Sequence, residues 1–582
     1  MKTLWAAIVA ASLFLCCPSQ AQTPSAKAAL SDTPASSTPK FVTSSELVIV
    51  PVVVQGKNGK HIPGLTKDAF TITSDGKPQN ISLFEEVATT STNFKPLPHA
   101  PDEYTNFALT GSTPRRLNII VFDAVNTPFL SQARARKELI KFLSKSLNAN
   151  EPTALLVLDR RGLHQIHPFT VDTSVLIKAM QRINGQLSSG DTIATSASDQ
   201  ADLQSQADTL AGSSSGSSSD AQAVQAEAQS LQAFADMEDE YQSFQQRNAT
   251  GLTLDAMEQI ASAYAGIPGR KNLIWATSGF PFMLSDPKAL NHMSTEMVDR
   301  YERVWREFND ALISIYPVDL EGLVNPGFDR DYAVTVRNPR NLRAMARQPL
   351  RYDRSQEVRN TLRTFADATG GKPCLDRNDL AKCMDEAAND ATSYYLLGFY
   401  LPSTERQPGW HKLKVHVDAR SAHVRARDGF LEGTPSAETP NVIKHEVASA
   451  LSSPLDFTGV HFSIVWPPNT APDPKGMPAG LHRRPFELII PGSSFLIDRA
   501  NGNHLDLSVV AVIQDDHNRY IGEFEKSLTG NVKPELLARV LSDGVNFHSH
   551  IDLPAGNLRV RFAVRDNQTG KIGSLVAPIV VQ

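Results

Sequence analysis

The chain has 582 residues, with 57 lysines and arginines against 62 aspartates and glutamates, and a net charge of −5. This length suits roughly three or four domains, and the 41% of hydrophobic residues fits folded ones. The nearly balanced charge shows none of the clustered basic character that nucleic-acid binding requires, so no nucleic-acid partner is expected.

Residues 1–21 have the pattern of a signal peptide. Lys2 supplies the positive start, residues 4–15 form a short apolar core, and residues 19–21 offer a small-x-small cleavage site. The sequence therefore predicts an exported protein, periplasmic or extracellular, whose mature chain begins at Gln22. No later stretch is long and apolar enough to predict a membrane span.

Two cysteines near the cleavage site leave a second possibility open. Cys16 or Cys17 could become the acylated first residue of a lipoprotein. The bulky Leu15 directly before Cys16 argues against that processing. Ordinary cleavage is the preferred prediction.

The predicted architecture is multidomain, α/β plus all-β. Residues 22–43 are rich in Ser, Thr, Pro and Ala, which predicts a disordered linker. Residues 44–92 contain short apolar runs separated by Gly-containing turns, which predicts a small β module. Residues 440–582 contain at least five strand candidates separated by turn clusters, which predicts an immunoglobulin-like β-sandwich.

Residues 113–432 are predicted to form a doubly wound α/β domain. Five apolar runs predict its strands, and helical patterns lie between them. The strand candidates are 117–123, 154–159, 271–279, 312–319 and 394–399. Alternating residues in 413–417 and 422–427 predict a β-hairpin that closes the domain.

A low-complexity insertion interrupts this domain at about 186–246. Its first part, with the Ser- and Gly-rich run 212–219, is predicted to be disordered. Residues 222–245 favour a polar helix with a narrow apolar stripe. A solvated spacer is the preferred interpretation, and a partner-contacting lid is the alternative.

The segment from residue 117 begins as a buried strand and ends in an acidic loop, Asp123-Ala124-Val125-Asn126-Thr127, before a helix. Four segments, within 64–79, 122–128, 268–281 and 394–430, together resemble the exported von Willebrand factor A (VWFA)-related proteins of Acidobacteria. The resemblance covers about 370 residues. It implies a VWFA-like fold and export, and little about molecular role.

The resemblance also implies a metal motif, which this sequence keeps only in part. A functional VWFA site uses Asp-x-Ser-x-Ser on the first loop and an aspartate in a Thr-Asp-Gly segment on a later loop. Asp123 and Thr127 supply oxygen ligands that Mg²⁺ or Ca²⁺ would accept. Val125 and Ser278 break the motif, because one has no ligand atom and the other has no charge. The preferred interpretation is that Asp123 caps the next helix or bonds the neighbouring loop.

Other residues keep alternatives open. Asp159 and Asp319 follow strands on the same sheet edge and could replace the missing carboxylate. A cleft formed by Asp159, His164 and His167 would be the first sign of an envelope hydrolase. His548 and His550 share one strand face, where exposed histidines are a simpler explanation than a zinc site.

Two further pairs of residues have both a structural and a functional interpretation. Arg270 and Lys271 precede a strand and could contact an anion, although the resemblance makes them part of the framework. Cys374 and Cys383 could form a structural disulfide, which an exported compartment permits.

The function expected from these features is exported, non-enzymatic binding of a protein or cell-envelope ligand. The loops around Asp123, Asn126, Thr127 and Ser278 are the predicted contact region. A metal-dependent adhesin with a rebuilt Mg²⁺ or Ca²⁺ site is the first alternative, and an envelope hydrolase is the second.

Overall fold

The structure of the protein is a computed structural model. It describes residues 46–88, 102–107, 117–145, 151–183, 203–204, 206–210, 219–280, 295–320, 348–390, 393–401, 409–432, 440–468 and 472–582. The predicted signal peptide (1–21) and linker (22–43) lie outside these residues, as does the Ser- and Gly-rich run of the insertion up to Ser218. None of the helices in the described ranges is long and apolar enough to cross a membrane.

The described part of the chain is a mixed α/β structure with several antiparallel sheets. Its strands are β1 (Glu46–Gln55), β2 (Phe70–Ser74), β3 (Lys77–Gln79), β4 (Ile81–Ala88), β5 (Glu103–Thr105), β6 (Leu117–Asp123), β7 (Thr153–Asp159), β8 (Gly162–Thr170), β9 (Lys271–Thr277), β10 (Ile313–Asp319), β11 (Ser393–Leu401), β12 (Gly409–Val417), β13 (His423–Arg425), β14 (Gly429–Glu432), β15 (Ser463–Val465), β16 (Leu481–Ile490), β17 (His504–Asp515), β18 (Tyr520–Asn531), β19 (Val545–Pro554), β20 (Gly556–Asp566) and β21 (Ile572–Val581). Its longer helices are α1 (Phe129–Lys145), α2 (Thr173–Arg182), α3 (Ser219–Tyr264), α4 (Thr295–Asp310), α5 (Gln348–Thr369), α6 (Leu380–Asn389), α7 (Pro440–Ser452) and α8 (Pro534–Asp543).

A mostly parallel sheet forms the centre of the α/β part. Its described strands lie in the order β10-β9-β6-β7-β8, with β8 antiparallel at the edge. Helices α3, α4 and α5 pack on one face, and α1, α2 and α6 pack on the other. Because both faces are covered, β6, β9 and β10 are buried along their whole length. Four of the five strands predicted for this sheet lie in it.

The fifth predicted strand, Tyr394–Phe399, belongs to another sheet, so that prediction was wrong. It lies in β11, which pairs antiparallel with β1 on one side and with β4 on the other. Its nearly continuous burial resembles that of a parallel strand because both of its faces are covered. Leu397 and Phe399 lie in a sandwich core, while the Tyr394 hydroxyl accepts a hydrogen bond from the Arg270 backbone N–H at 3.2 Å.

The small module predicted at 44–92 is part of a larger β-sandwich, which corrects that boundary. One described sheet has the order β13-β1-β11-β4, and the facing one has the order β14-β12-β2-β3. The two sheets enclose a common core. Residues 46–88 supply only some of these strands, and their exposed edges are completed by strands from 393–432. The closing hairpin is also corrected, since β12 and β13 lie in different sheets.

The C-terminal part is a second sandwich of antiparallel sheets. The described strands form the orders β19-β16-β15-β5 and β18-β17-β20-β21 around one apolar core. Strand β5 comes from residues before the α/β part, so the boundary predicted at 440 omits it. Helix α7 packs on β17, β20 and β21 of this sandwich, and its Ala450 also belongs to the apolar cluster that continues into the α/β part.

The second half of the insertion is helical. Helix α3 begins at Ser219 and continues without a break to Tyr264. The helix predicted at 222–245 and the helical pattern that precedes β9 are therefore a single element. The residues of α3 that belong to the α/β core all lie at Ala249 or later in the chain.

Candidate functional site

The loop after β6 lies at the carboxyl end of the parallel sheet. Asp123 is the last residue of β6 and is opposite Leu158 of β7. Phe122 is opposite Ala276 of β9, so the loop that follows β9 lies beside the loop that follows β6. Ligand sites of open α/β sheets occupy this edge.

Asp123 is fully buried, and hydrogen bonds occupy both of its carboxylate oxygens. Oδ1 accepts the backbone N–H of Asn126 at 2.9 Å. Oδ2 accepts the Asn126 side-chain amide at 2.8 Å, the Trp275 indole N–H at 3.1 Å and the Thr277 hydroxyl at 3.0 Å. Amide and indole N–H groups can only donate, so the ionised carboxylate is the form that satisfies them. Burial raises the pKa of the Asp123 carboxyl, and these hydrogen bonds oppose that rise.

Thr127 and Ser278 join the two neighbouring loops. The backbone N–H of Ser278 donates to Thr127 Oγ1 at 3.2 Å. The Gln132 side chain, from α1, donates to the carbonyl oxygens of Thr127 at 2.9 Å and Ala124 at 3.3 Å. These contacts fix the loop after β6 to the following helix and to the loop after β9.

Asn126 extends the network to helix α3. Its side-chain amide donates to Thr253 Oγ1 at 3.0 Å, in addition to its bond with Asp123. Thr253 in turn donates to the Ala249 carbonyl at 2.8 Å. The hydrogen bonds around the buried carboxylate therefore join the ends of β6 and β9 to helix α3.

The residues present do not fit a divalent cation in this arrangement. Both oxygens of Asp123 face N–H or O–H donors, and a metal ion would have to displace those donors. Val125 is buried in the α/β core and offers no ligand atom. Thr127 Oγ1 already accepts a hydrogen bond, and the buried Ser278 Oγ, which makes no hydrogen bond within the described residues, carries no charge. Mg²⁺ and Ca²⁺ depend on charged oxygen ligands for affinity.

The two carboxylates proposed as replacements have other partners. Asp319 lies 3.9 Å from the Arg359 guanidinium, which also lies 3.2 Å from Asp376. Asp159 Oδ1 accepts the backbone N–H of Arg161 at 2.7 Å. Asp319 therefore links the end of β10 to α5, and Asp159 stabilises the turn that follows β7.

The histidines considered for a hydrolase cleft or a zinc site have different partners in the structure. His164 Nε2 lies 2.9 Å from Asp159 Oδ1, so this pair is in contact. His167 Nδ1 instead lies 2.7 Å from the Pro168 carbonyl oxygen. His548 lies across from Glu487 of β16, with its Nε2 3.5 Å from the carboxylate, and His550 lies across from Pro485.

Two aspartates and a histidine lie together in the turn between β17 and β18. Potential ligand atoms of Asp515, Asp516 and His517 lie within 4.8 Å of one another. Asp515 accepts hydrogen bonds from backbone N–H groups of this turn. Such groups are common on protein surfaces without an ion, and this one shapes the turn.

Arg270 and Lys271 are both buried, and their side chains bond to groups inside the protein. The Arg270 guanidinium donates to Ser314 Oγ at 2.9 Å, to the Tyr316 hydroxyl at 3.0 Å and to the Gly370 carbonyl at 2.6 Å. Lys271 Nζ donates to backbone carbonyls of the preceding turn. Desolvation lowers the pKa of Lys271 to about 7.

Cys374 and Cys383 form a disulfide, with their Cα atoms 5.8 Å apart. Cys374 also extends the parallel sheet by one residue. Its N–H donates to the Pro317 carbonyl at 2.8 Å, and its carbonyl accepts the Asp319 N–H at 3.0 Å. The disulfide therefore fixes α6 to the strand that carries Asp319.

Sequence reasoning missed the donors that hold Asp123. Trp275 and Thr277 are two positions apart in β9, so they lie on one face of the sheet. That spacing is the one feature of the sequence that could have indicated them as partners of Asp123. Gln132 and Thr253 carry no local signal, because their roles depend on how α1 and α3 pack.

No protein-family model and no curated protein matches this chain. Among solved structures, dimeric latent PorU from Porphyromonas gingivalis aligns with a TM-score of 0.13 and 16% identity. The alignment covers 34% of this chain and 14% of that one. The chain thus spans about a seventh of the length of that protein, and so low a TM-score carries no argument.

Proposed function

We propose that the protein is an exported, non-enzymatic binding protein with a VWFA-like domain whose metal motif is closed. By closed we mean that hydrogen-bond donors of the protein itself occupy the aspartate oxygens that a metal ion would need. A doubly wound sheet with an aspartate at the end of its first strand supports the VWFA-like assignment. The disulfide supports export, since such bonds persist in oxidising compartments. An immunoglobulin-like assignment of the C-terminal sandwich is part of the same proposal.

The observation that carries the proposal is the internal satisfaction of Asp123. Donors from Asn126, Trp275 and Thr277 take the place that a cation would need. The loops are therefore held in position without a metal, and partner binding does not depend on one.

The contact residues differ from those that the sequence suggested. Asp123, Thr127 and Ser278 are buried, so their role in binding is to fix the loop rather than to touch a partner. Asn126 is half-buried, and Phe129, at the start of α1, is 45% exposed. We place the contact with a protein or cell-envelope ligand on the rim formed by these two side chains.

Sedimentation of the mature chain with isolated cell envelopes of its own organism tests this proposal. We expect equal binding in Mg²⁺ and in EDTA, and weaker binding for Phe129→Ser. Tyr400→Ser is the matched control, because Tyr400 is a similarly exposed aromatic residue on the N-terminal sandwich. Loss of binding in EDTA would contradict the proposal, as would equal losses in both variants.

A further inference from the structure

The first half of α3 carries large apolar side chains on an exposed face. Phe234, Met237, Tyr241 and Phe244 are between 45% and 63% exposed. The face that this part of the helix buries is a different one, on which Ala228 and Ala235 lie. The exposed side chains are therefore not the ones with which α3 packs on its own protein.

These four side chains form one continuous seam, which we call the α3 seam. Their spacing along the helix is three, four and three residues. That spacing places them in one line, about 15 Å long at about 1.5 Å per residue. It is the a and d pattern of a coiled coil, in which apolar residues of one helix pack between those of another.

Acidic residues border the α3 seam on both sides. Glu238 and Glu240 occupy the e and g positions of the same heptad, and Asp236 is exposed nearby. Residues 219–248 contain six acidic residues and one basic residue, Arg247. Charges at e and g positions select the partner helix.

We propose that the α3 seam docks an amphipathic basic helix of a partner protein, with an apolar seam and lysine or arginine beside it. The acidic border favours this occupant over a second copy of the chain, because α3 would bring no basic residues opposite Glu238 and Glu240. It also disfavours an anionic lipid surface, which attracts basic rather than acidic helices. This surface is separate from the loop around Asp123, so the proposal stands or falls independently of the proposed function.

A synthetic peptide tests the proposal with the full mature chain. The probe has about three heptads, with Ile and Leu at a and d and Lys at e and g, and carries a fluorescent label. A matched peptide has Glu at e and g instead. Fluorescence anisotropy is expected to show saturable binding of the basic peptide, weakened by salt, and little binding of the acidic one.

Two variants and one control connect this binding to the α3 seam. Phe234→Ser with Phe244→Ser is expected to weaken binding of the basic peptide by at least about tenfold. Glu238→Lys with Glu240→Lys is expected to reverse the preference toward the acidic peptide. Gln225→Ser, an exposed polar position on the same helix, is the control and should leave binding unchanged. Circular dichroism of each variant checks whether its helix content is kept.

Three results would overturn the proposal. Equal binding of the basic and acidic peptides would show that charge does not select the partner. Dimerisation of the chain in light scattering, removed by the Phe234 and Phe244 substitutions, would assign the seam to a second copy. Binding to phosphatidylcholine vesicles, removed by the same substitutions, would assign it to a membrane surface.

Discussion

Substituting Asp123 by alanine should destabilise the protein strongly even though no metal is lost. The change leaves three N–H donors without their acceptor: the backbone and side-chain amides of Asn126 and the indole of Trp275. A buried donor left without a partner costs about 1–3 kcal/mol. Water entering the vacated space recovers part of that cost. We therefore expect a loss of about 3–5 kcal/mol in the free energy of unfolding, and a fall in Tm on the order of 10 °C.

Differential scanning calorimetry of the mature chain, in EDTA and in Mg²⁺, measures this effect. Asp159→Ala is the matched control, because Asp159 also ends a parallel strand but lies in a less buried turn with His164. We expect the control to lose about 1 kcal/mol. An Asp123→Ala variant as stable as the control would refute the reasoning. So would a Tm that Mg²⁺ raises in the wild type and leaves unchanged in the variant, since a ligand stabilises the state that binds it.

Three further predictions concern the framework. Replacing Cys374 and Cys383 by serine should lower the free energy of unfolding by about 2–3 kcal/mol in urea denaturation, because the disulfide restricts the unfolded chain and the short loop that it closes keeps the effect modest; an unchanged midpoint would contradict this. Gly266→Ala should lower the free energy of unfolding by about 1–3 kcal/mol or more, because the added Cβ would lie 1.8 Å from the Thr458 carbonyl oxygen. This close approach lies between the end of α3 and the C-terminal part. A variant with the wild-type Tm would show that the backbone there shifts at no cost in stability. Lys271 has a pKa lowered to about 7, so the unfolded chain binds more protons between pH 7 and 10 and stability from this group rises with pH across that window. Lys271→Met should flatten that rise in denaturation curves measured at several pH values, and an unchanged slope would refute the assignment.

The parallel strands around Asp123 could be predicted because each one carries its own signal. An apolar run such as β6, closed by an aspartate and followed by a helical pattern, is local information. The partners of Asp123 are not local, since Trp275 is 152 residues away. Their meeting depends on the pairing of β6 with β9, which no single segment encodes.

The wrong assignment of β11 and the omission of β5 have the same physical origin as the missed partners of Asp123. Strand β11 has the apolar composition of a buried parallel strand, and only its pairing with β1 and β4 shows that it belongs to a sandwich. Strand β5 has three residues, and its place beside β15 comes from a contact across about 360 positions of the chain. Short strands completed by distant partners leave no periodic pattern in the sequence.

Isothermal titration calorimetry of the mature chain with Mg²⁺, Ca²⁺ and Mn²⁺ tests the central claim most directly. The control is Asp123→Asn, which keeps the size of the side chain and removes its charge. The closed site predicts no saturable binding at Asp123 in the wild type, and the same heat signal from the wild type and from this control. Saturable binding by the wild type that disappears in Asp123→Asn would contradict the closed site and establish a working metal centre.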